Sequence, residues 1–410
     1  MDILVDFSKS VDALITLPAS KSISNRALII RAIAGESSPI ENLSDCDDTD
    51  VLQQALISVQ QTIDIGAAGT AMRFLTAFFA QSFSRECVLT GTERMKQRPI
   101  RLLVDALEAL GAKISYVDKE GFPPLKIVGK ELLGGTICLK GDVSSQYISA
   151  LMMIAPAMQN GLKIELIPPV ISRPYIDLTI HLMKEFGVVV HSNGNCIEIP
   201  HQHYKMKPFV VEADWSAASY WYEILALKKE GEFFLKGLTQ NSFQGDSKLV
   251  DLFSQLGVST FFEETGVRIV ADGKPIAELK YNFVNQPDLA QTFVVTCCFL
   301  GVPFHFTGLE SLKIKETDRI FALKNELLKF GFELEEPKNG ELKWNGNKQN
   351  VMEEQISVAT YNDHRMAMAF APIATKMPIR IENMEVVSKS YPTFWKDLCK
   401  AGFVFSEKIN

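Results

Sequence analysis

Six runs of this 410-residue chain are apolar almost all the way round a helix, and nothing else in the sequence limits the fold as much. They read SKSISNRALIIRAIAG, AGTAMRFLTAFFA, SSQYISALMMIAP, DWSAASYWYEILAL, PDLAQTFVVTCCFLG and NDHRMAMAFAPIA. An amphipathic helix can rest on a surface, whereas a helix without a polar side must be covered on every side. From the second run onward they recur roughly every 70–75 residues, the mark of a repeated unit; the first interval is only about 48. Between them lie amphipathic segments that mostly stop at glycine: IRLLVDALEALGA, IDLTIHLMKEFGV, SKLVDLFSQLGV, IFALKNELLKFGF and TFWKDLCKAGF. DDTDVLQQALI reads as the first of that series without its glycine. Short β-rich stretches such as GTICLKG, LKIELI and GVRIVADG fill the rest.

Each unit therefore predicts one buried helix, one amphipathic helix and several strands. Helices inside with sheets around them is the economical packing, and six units divide into two groups of three. The fourth unit starts near Glu212–Asp214. The first 18 residues read as a strand and crossover open to either group. If the buried helices run parallel, their N-termini are expected to converge on the seam between the groups, where aligned dipoles attract anions.

Composition narrows the function. With 47% hydrophobic and 22% charged residues this is the make-up of an ordinary soluble globular protein. A net charge of −7 argues against broad nucleic-acid binding. Seven cysteines without CxxC spacing suit a reducing cytoplasm better than a disulfide framework or a zinc site. Asp2, Asp6 and Lys9 fall where a secretory leader would need its apolar core, so a cytoplasmic protein is expected. Apolar runs fall short of the ~18 residues of a membrane span. His201 and His203 have no further ligand at metal spacing and read as a surface turn.

The polar heads of the apolar runs carry the chemistry. In LPASKSISNRAL, Lys21 and Arg26 enter a helix that Ser22 or Ser24 is expected to cap. GAAGTAMRF places Gly69 where a ligand oxygen can approach bare backbone N–H groups. GDVSSQYISA offers Ser144, Ser145 and Gln146 as neutral donors at a third helix start. RMKQRPI is a basic loop containing Arg98. In LKIKETDRIFALKNELLKFG, Lys315 and Arg319 share a helix face or its entrance, with Glu316 among them as an acid–base candidate. TYNDHRMAMAF adds His364 and Arg365, VSKSYP adds Lys389, and Asp288 heads the fifth run. Two cations 4 Å apart repel by ~4 kcal/mol at an effective dielectric of 20, so such a group is expected to need compensating anionic ligands. These residues together imply an enzyme or binder of phosphorylated, carboxylated small molecules.

The ordered set LPASKSISNRAL, AGTAMR, RMKQRPI, GDVSSQYISALMM, SRPYIDLT, IKETDRI, YNDHRMAM and SKSYP resembles the 5-enolpyruvylshikimate-3-phosphate synthase family of enolpyruvyl transferases, over nearly the whole chain. The resemblance implies an α/β fold: a two-domain inside-out barrel, with three βαβαββ-type units per domain, buried helices and outer sheets. The domains are then 19–212 and 1–18 plus 213–410. It implies transfer of enolpyruvyl from phosphoenolpyruvate to the 5-hydroxyl of shikimate 3-phosphate, without a metal or organic cofactor, by a cytoplasmic monomer. Ser22 and Arg26, with Tyr175 nearby, would hold the shikimate carboxylate. Ser144, Ser145, Ser172 and Lys315 would take its phosphate. Lys21 and Gln146 would touch both substrates. Gly69, Arg98, Arg319, Arg365 and Lys389 would hold phosphoenolpyruvate. Asp288 would accept the hydroxyl proton, Glu316 would protonate the methylene carbon, and His364 would support them.

Three departures from the family pattern are visible. Ala67 stands where Asn is usual, Ser311 stands where many relatives have Asn, and the first repeat is shortened. The alternatives are transfer to UDP-N-acetylglucosamine and a non-catalytic phosphometabolite-binding protein. The first usually carries a reactive Cys in the loop matching TGTERMKQR, which has none. The pairing of Asp288 with Glu316 speaks against the second.

Overall fold

A computed structural model describes residues 1–7, 12–351 and 355–407. The chain divides into a continuous unit, Ala19–Val211, and a split unit formed by Met1–Pro18 with Glu212–Asn410. Each has its own apolar core.

In the continuous unit the apolar runs form the helices Lys21–Ala34, Gly69–Gln81 and Ser145–Ile154. In the split unit they form Trp215–Lys228, Ala290–Leu300 and His364–Phe370. Every residue from Ala217 to Leu227 is buried, as a helix lacking a polar side requires. Fully burying each large apolar side chain, such as Leu225 or Ile224, contributes about 1.5–3 kcal/mol.

One topology recurs. Strands Thr62–Asp64 and Glu86–Thr90 are parallel, joined through the buried helix Gly69–Gln81. An amphipathic helix, Arg101–Ala109, then leads to the hairpin Lys113–Tyr116 and Leu125–Val128, whose second strand pairs antiparallel with Glu86–Thr90. The same order holds for the sheet of Gly135–Lys140, Leu162–Ile167, Cys196–Ile199 and His191–Asn193. Glycine ends the amphipathic helices because the next residue must turn left-handed. After Arg173–Glu185 the chain reaches Gly187 at φ +79°, and after Arg319–Leu328 it reaches Gly331 at φ +86°. In both places the following N–H bonds back into the last turn, Val188 to Met183 and Phe332 to Leu327.

The chain exchanges leading strands between its two units. Asp12–Thr16 precedes the first buried helix but pairs in parallel with Glu232–Lys236 of the split unit. Phe209–Val210 precedes the fourth buried helix but pairs in parallel with Ile40–Glu41 of the continuous unit. Ile3–Phe7 and Asp12–Thr16 both pair with strands of the split unit, a placement their sequence left open. The shortened first repeat corresponds to this last sheet, which has only two strands of two residues each. Ile3–Phe7 fills an inner position between Ile379–Ile381 and Phe403–Glu407. The six sheets are open, and among the described residues none closes on itself. No helix among the described residues is long and apolar enough to cross a membrane.

Candidate active site

In the split unit, charge gathers round one guanidinium. Arg319 opens the helix Arg319–Leu328, with Asp318 capping it by accepting the Phe321 N–H. Lys315 lies in extended backbone ahead of that helix, so the two cations share its entrance and not one of its faces. Arg319 is 1% exposed. Its Nε donates to Asp363 Oδ2 at 2.7 Å and its Nη2 to Oδ1 at 3.3 Å. Nη1 meets Asp288 Oδ1 at 3.2 Å, and Nη2 meets Glu316 Oε2 at 3.0 Å. Around these, Arg365 Nη2 lies 3.1 Å from Asp288 Oδ2 and Lys389 Nζ lies 3.4 Å from Glu316 Oε1. Lys315 Nζ is 3.8 Å from Asp288 Oδ1.

The expectation that mainly bound anions would compensate these cations is therefore corrected. Asp288, Glu316 and Asp363 already do so, because a buried guanidinium is tolerated only when paired. Burial disfavours the Arg319 cation, but Asp363, Glu316 and Asp288 outweigh it and hold its pKa above the ordinary value. Burial lowers the pKa of Lys315, with Asp288 opposing and Arg319 reinforcing. Its side chain is 27% exposed, so water limits the effect.

Further groups close round this cluster. His364 is buried at the start of its helix, Nδ1 3.7 Å from Asp363 Oδ1. Arg365 Nη1 reaches the Tyr220 hydroxyl at 3.5 Å, and burial pushes that phenol up to about 12. Asp246 is buried too, and Ser216 donates its hydroxyl to Oδ2. Burial first and Asp288 second raise the Asp246 pKa, against the Ser216 hydrogen bond and Arg365. Like charges confined together favour keeping one of them protonated.

The continuous unit gathers mostly neutral donors at its helix heads. Ser144 caps the helix Ser145–Ile154 by accepting the Gln146 N–H at 3.3 Å. Gln146 Nε2 donates to Thr70 Oγ1 at 3.1 Å, joining the second and third helix heads. Ser172, just before Arg173–Glu185, is held left-handed at φ +53° with 8% exposure. Gly69 is the first residue of its helix. A methyl placed on it would lie 2.5 Å from Arg98 Nη1 and 3.2 Å from Arg73 Nη1. Lys21 Nζ pairs with Asp48 Oδ2 at 3.2 Å.

Arg26 is sunk in this unit at 2% exposure. It donates to Thr179 Oγ1 (2.8 Å), the Ser22 carbonyl (2.9 Å), Ser149 Oγ (3.2 Å) and the Tyr175 carbonyl (3.4 Å). Its Cζ lies 5.3 Å from the Phe74 ring centroid and 6.0 Å from that of Tyr175. Burial lowers its pKa to about 10, with Tyr175 opposing. The capping expectation for this helix is also corrected. The helix begins at Lys21 with Ser20 at the cap position, so Ser22 and Ser24 lie inside the first turn, and Ser24 Oγ instead accepts the Ser44 N–H.

The family model described as EPSP synthase (3-phosphoshikimate 1-carboxyvinyltransferase) matches residues 5–63 and 51–398. The chain belongs to the EPSP synthase family. A 3-phosphoshikimate 1-carboxyvinyltransferase of Bacteroides fragilis (strain YCH46) is 54% identical over 407 residues, 98% of each chain. One from Vibrio vulnificus (strain YJ016) is 36% identical over 420 residues, 95% of this chain and 96% of the other. The solved structure of EPSP synthase from Acinetobacter baumannii superposes with a TM-score of 0.79 over 99% of both chains. At 20% identity this speaks for the mixed α/β fold alone.

Of the residues matching EPSP synthase motifs, Asp288, Lys315, Glu316, Arg319, His364, Arg365 and Lys389 form one connected cluster. In the continuous unit, hydrogen bonds tie Gln146 to Thr70 and Arg26 to Tyr175, and the end of the Arg98 side chain lies beside Gly69. Four residues were missed in the sequence. Asp363 had a signal, as an acid directly before a helix start. Asp48 had a weaker one, as one of three acids in the first turn of Asp47–Ile57. Arg73 stood out as a charge within an all-apolar helix. Asp246 had none. His201 and His203 prove to be neighbouring rings, 5.7 Å between centroids, and no group that would hold a metal ion occurs among the described residues.

Proposed function

We infer that this chain transfers the enolpyruvyl group of phosphoenolpyruvate to the 5-hydroxyl of shikimate 3-phosphate and releases phosphate, in the step before chorismate. The observation that carries this reading is that Asp288 and Glu316 both engage Arg319, two carboxylates held apart on one guanidinium. In the addition half-reaction the 5-oxygen bonds to C2 of phosphoenolpyruvate. Asp288 accepts the hydroxyl proton and Glu316 delivers a proton to C3. In the elimination half-reaction the bond from C2 to the phosphate oxygen breaks, a methyl proton returns to Glu316, and the vinyl ether and phosphate leave. Positioned proton transfer of this kind contributes ~10²–10⁴-fold.

Binding divides by charge type. Ser144, Ser145 and Ser172 take the phosphate of shikimate 3-phosphate with Lys315, while Ser22, Arg26 and Tyr175 serve its carboxylate. Arg98 and the Gly69 backbone, with Arg319, Arg365 and Lys389, take phosphoenolpyruvate, and His364 lies beside them. Lys21 and Gln146 serve both ligands, and Lys21 offsets charge during the addition. Supporting this assignment are the helix heads that carry the neutral donors, where backbone N–H groups suit phosphate oxygens. In this reading residues 19–212 and 1–18 plus 213–410 are the two lobes of an inside-out α/β barrel, three repeats each. The protein works as a cytoplasmic monomer, which its seven unbridged thiols suit.

The test is phosphate release on incubation with phosphoenolpyruvate and shikimate 3-phosphate. Turnover with that pair is expected. Turnover only when UDP-N-acetylglucosamine replaces shikimate 3-phosphate would overturn the reading.

A further inference from the structure

Three carboxylates hold Arg319, and they differ in kind. Asp288 and Glu316 each meet it through one nitrogen, and their side chains are 17% and 16% exposed. Asp363 is fully buried and grips the guanidinium side-on through Nε and Nη2. The same carboxylate also caps the helix His364–Phe370, its Oδ1 accepting the Arg365 N–H at 2.9 Å. One side chain thus fixes the orientation of Arg319 and the backbone that presents Arg365.

We propose that Asp363 is a positioning residue: it stays ion-paired to Arg319 throughout, while Asp288 and Glu316 are the exchangeable partners that give way to the anionic substrate. This rests on the reading above, in which Arg319 and Arg365 bind phosphoenolpyruvate. A guanidinium presents five N–H donors in a rigid fork. With Nε and one edge of Nη2 held by Asp363, the remaining donors point where Asp288 and Glu316 now sit. When substrate oxygens take those positions, both carboxylates become available for proton transfer. A fully buried carboxylate between Arg319 and a helix N-terminus has no comparable route to exchange, because leaving either partner would strand a charge out of water.

The experiment compares Asp363→Asn and Asp363→Ser with the parent enzyme, with Tm recorded for each. Asn and Ser both remain competent helix caps, so a role limited to capping leaves KM for both substrates near the parent value. The positioning role instead raises KM for phosphoenolpyruvate by about tenfold or more in both variants, the scale of a lost charged hydrogen bond. It leaves KM for shikimate 3-phosphate within about twofold. In an Arg319→Gln background, adding Asp363→Asn is expected to cost no more than about a further twofold, since the partner it acts through is gone. That double variant buries no lone charge and carries the test if Asp363→Asn alone does not fold. Unchanged KM for phosphoenolpyruvate in the single variants, or a full additional loss in the double variant, would overturn the proposal. If the parent itself failed to turn over the two substrates, the fault would lie with the functional reading and not with Asp363.

Discussion

In the proposed reaction both units would face anionic ligands, and they present different chemistry for it. The continuous unit presents serines, Gln146 and a glycine-started helix beside Lys21, Arg26 and Arg98, and Arg26 is bonded to its own unit. The split unit presents Lys315, Arg319, Arg365 and Lys389 interlocked with carboxylates. Neutral donors cost little to leave unliganded, since water or a neighbouring side chain satisfies them. Packed cations must be neutralised before any ligand arrives. The split unit does this with carboxylate side chains, and in the proposed reaction two of them, Asp288 and Glu316, would also act as base and acid, linking binding to proton transfer there.

That contrast can be broken by substitution. The largest effect is expected for Glu316→Gln and Asp288→Asn: kcat falls by at least ~10²-fold with modest change in KM, measured by phosphate release. Parent-like kcat in both would remove the acid–base assignment. Next comes Gly69→Ala, whose methyl meets the end of the Arg98 side chain and not backbone. The fold should hold, with unchanged Tm, while KM for phosphoenolpyruvate rises roughly 10–100-fold as Arg98 is displaced. Unmoved KM would mean that Arg98 does not bind that substrate.

Smaller effects sharpen the comparison. Ser144→Ala removes one neutral donor and should raise KM for shikimate 3-phosphate by only about 2–10-fold, leaving kcat alone. A collapse of kcat would show that the neutral side shares in the chemistry. The smallest effect contrasts two buried carboxyls of the split unit. Asp363 is ion-paired, whereas Glu223, fully buried within Trp215–Lys228, is raised well above its ordinary 4.5 by burial. Folding therefore favours its neutral form relative to the unfolded chain. Its contribution to stability is complete below pH 4.5 and shrinks as pH rises toward the folded value. Glu223→Gln removes that dependence, so Tm of the variant relative to the parent should climb as pH rises above 4.5. A flat difference would mean that Glu223 is charged in the fold.

Much of this was written in periodicity. Apolar runs without a polar face could only be interior helices, and glycines after amphipathic helices marked their ends. Arg365 was visible because it heads a run that otherwise repels charge, and Lys315 and Arg319 because they crowd the entrance of an amphipathic helix. What escaped was everything decided by partners distant in sequence. Asp363 and Arg319 are 44 residues apart, and Asp246 becomes significant only through Ser216 and Asp288. The cap of the first helix was misplaced because Ser20, Ser22 and Ser24 look alike in sequence, and the one at the cap position, Ser20, makes no side-chain cap hydrogen bond. The strand exchange escaped as well, since strands of two to five residues carry too little pattern to name their neighbours.

The place of Ile3–Phe7, between Ile379–Ile381 and Phe403–Glu407, has a consequence for synthesis. This strand is made roughly 370 residues before either of its neighbours. At 5–20 residues per second it waits on the order of 20–80 s, while Ala19–Val211 can complete itself on the way. Synthesis of residues 379–407, and not the folding of either half, then sets when that sheet can be finished.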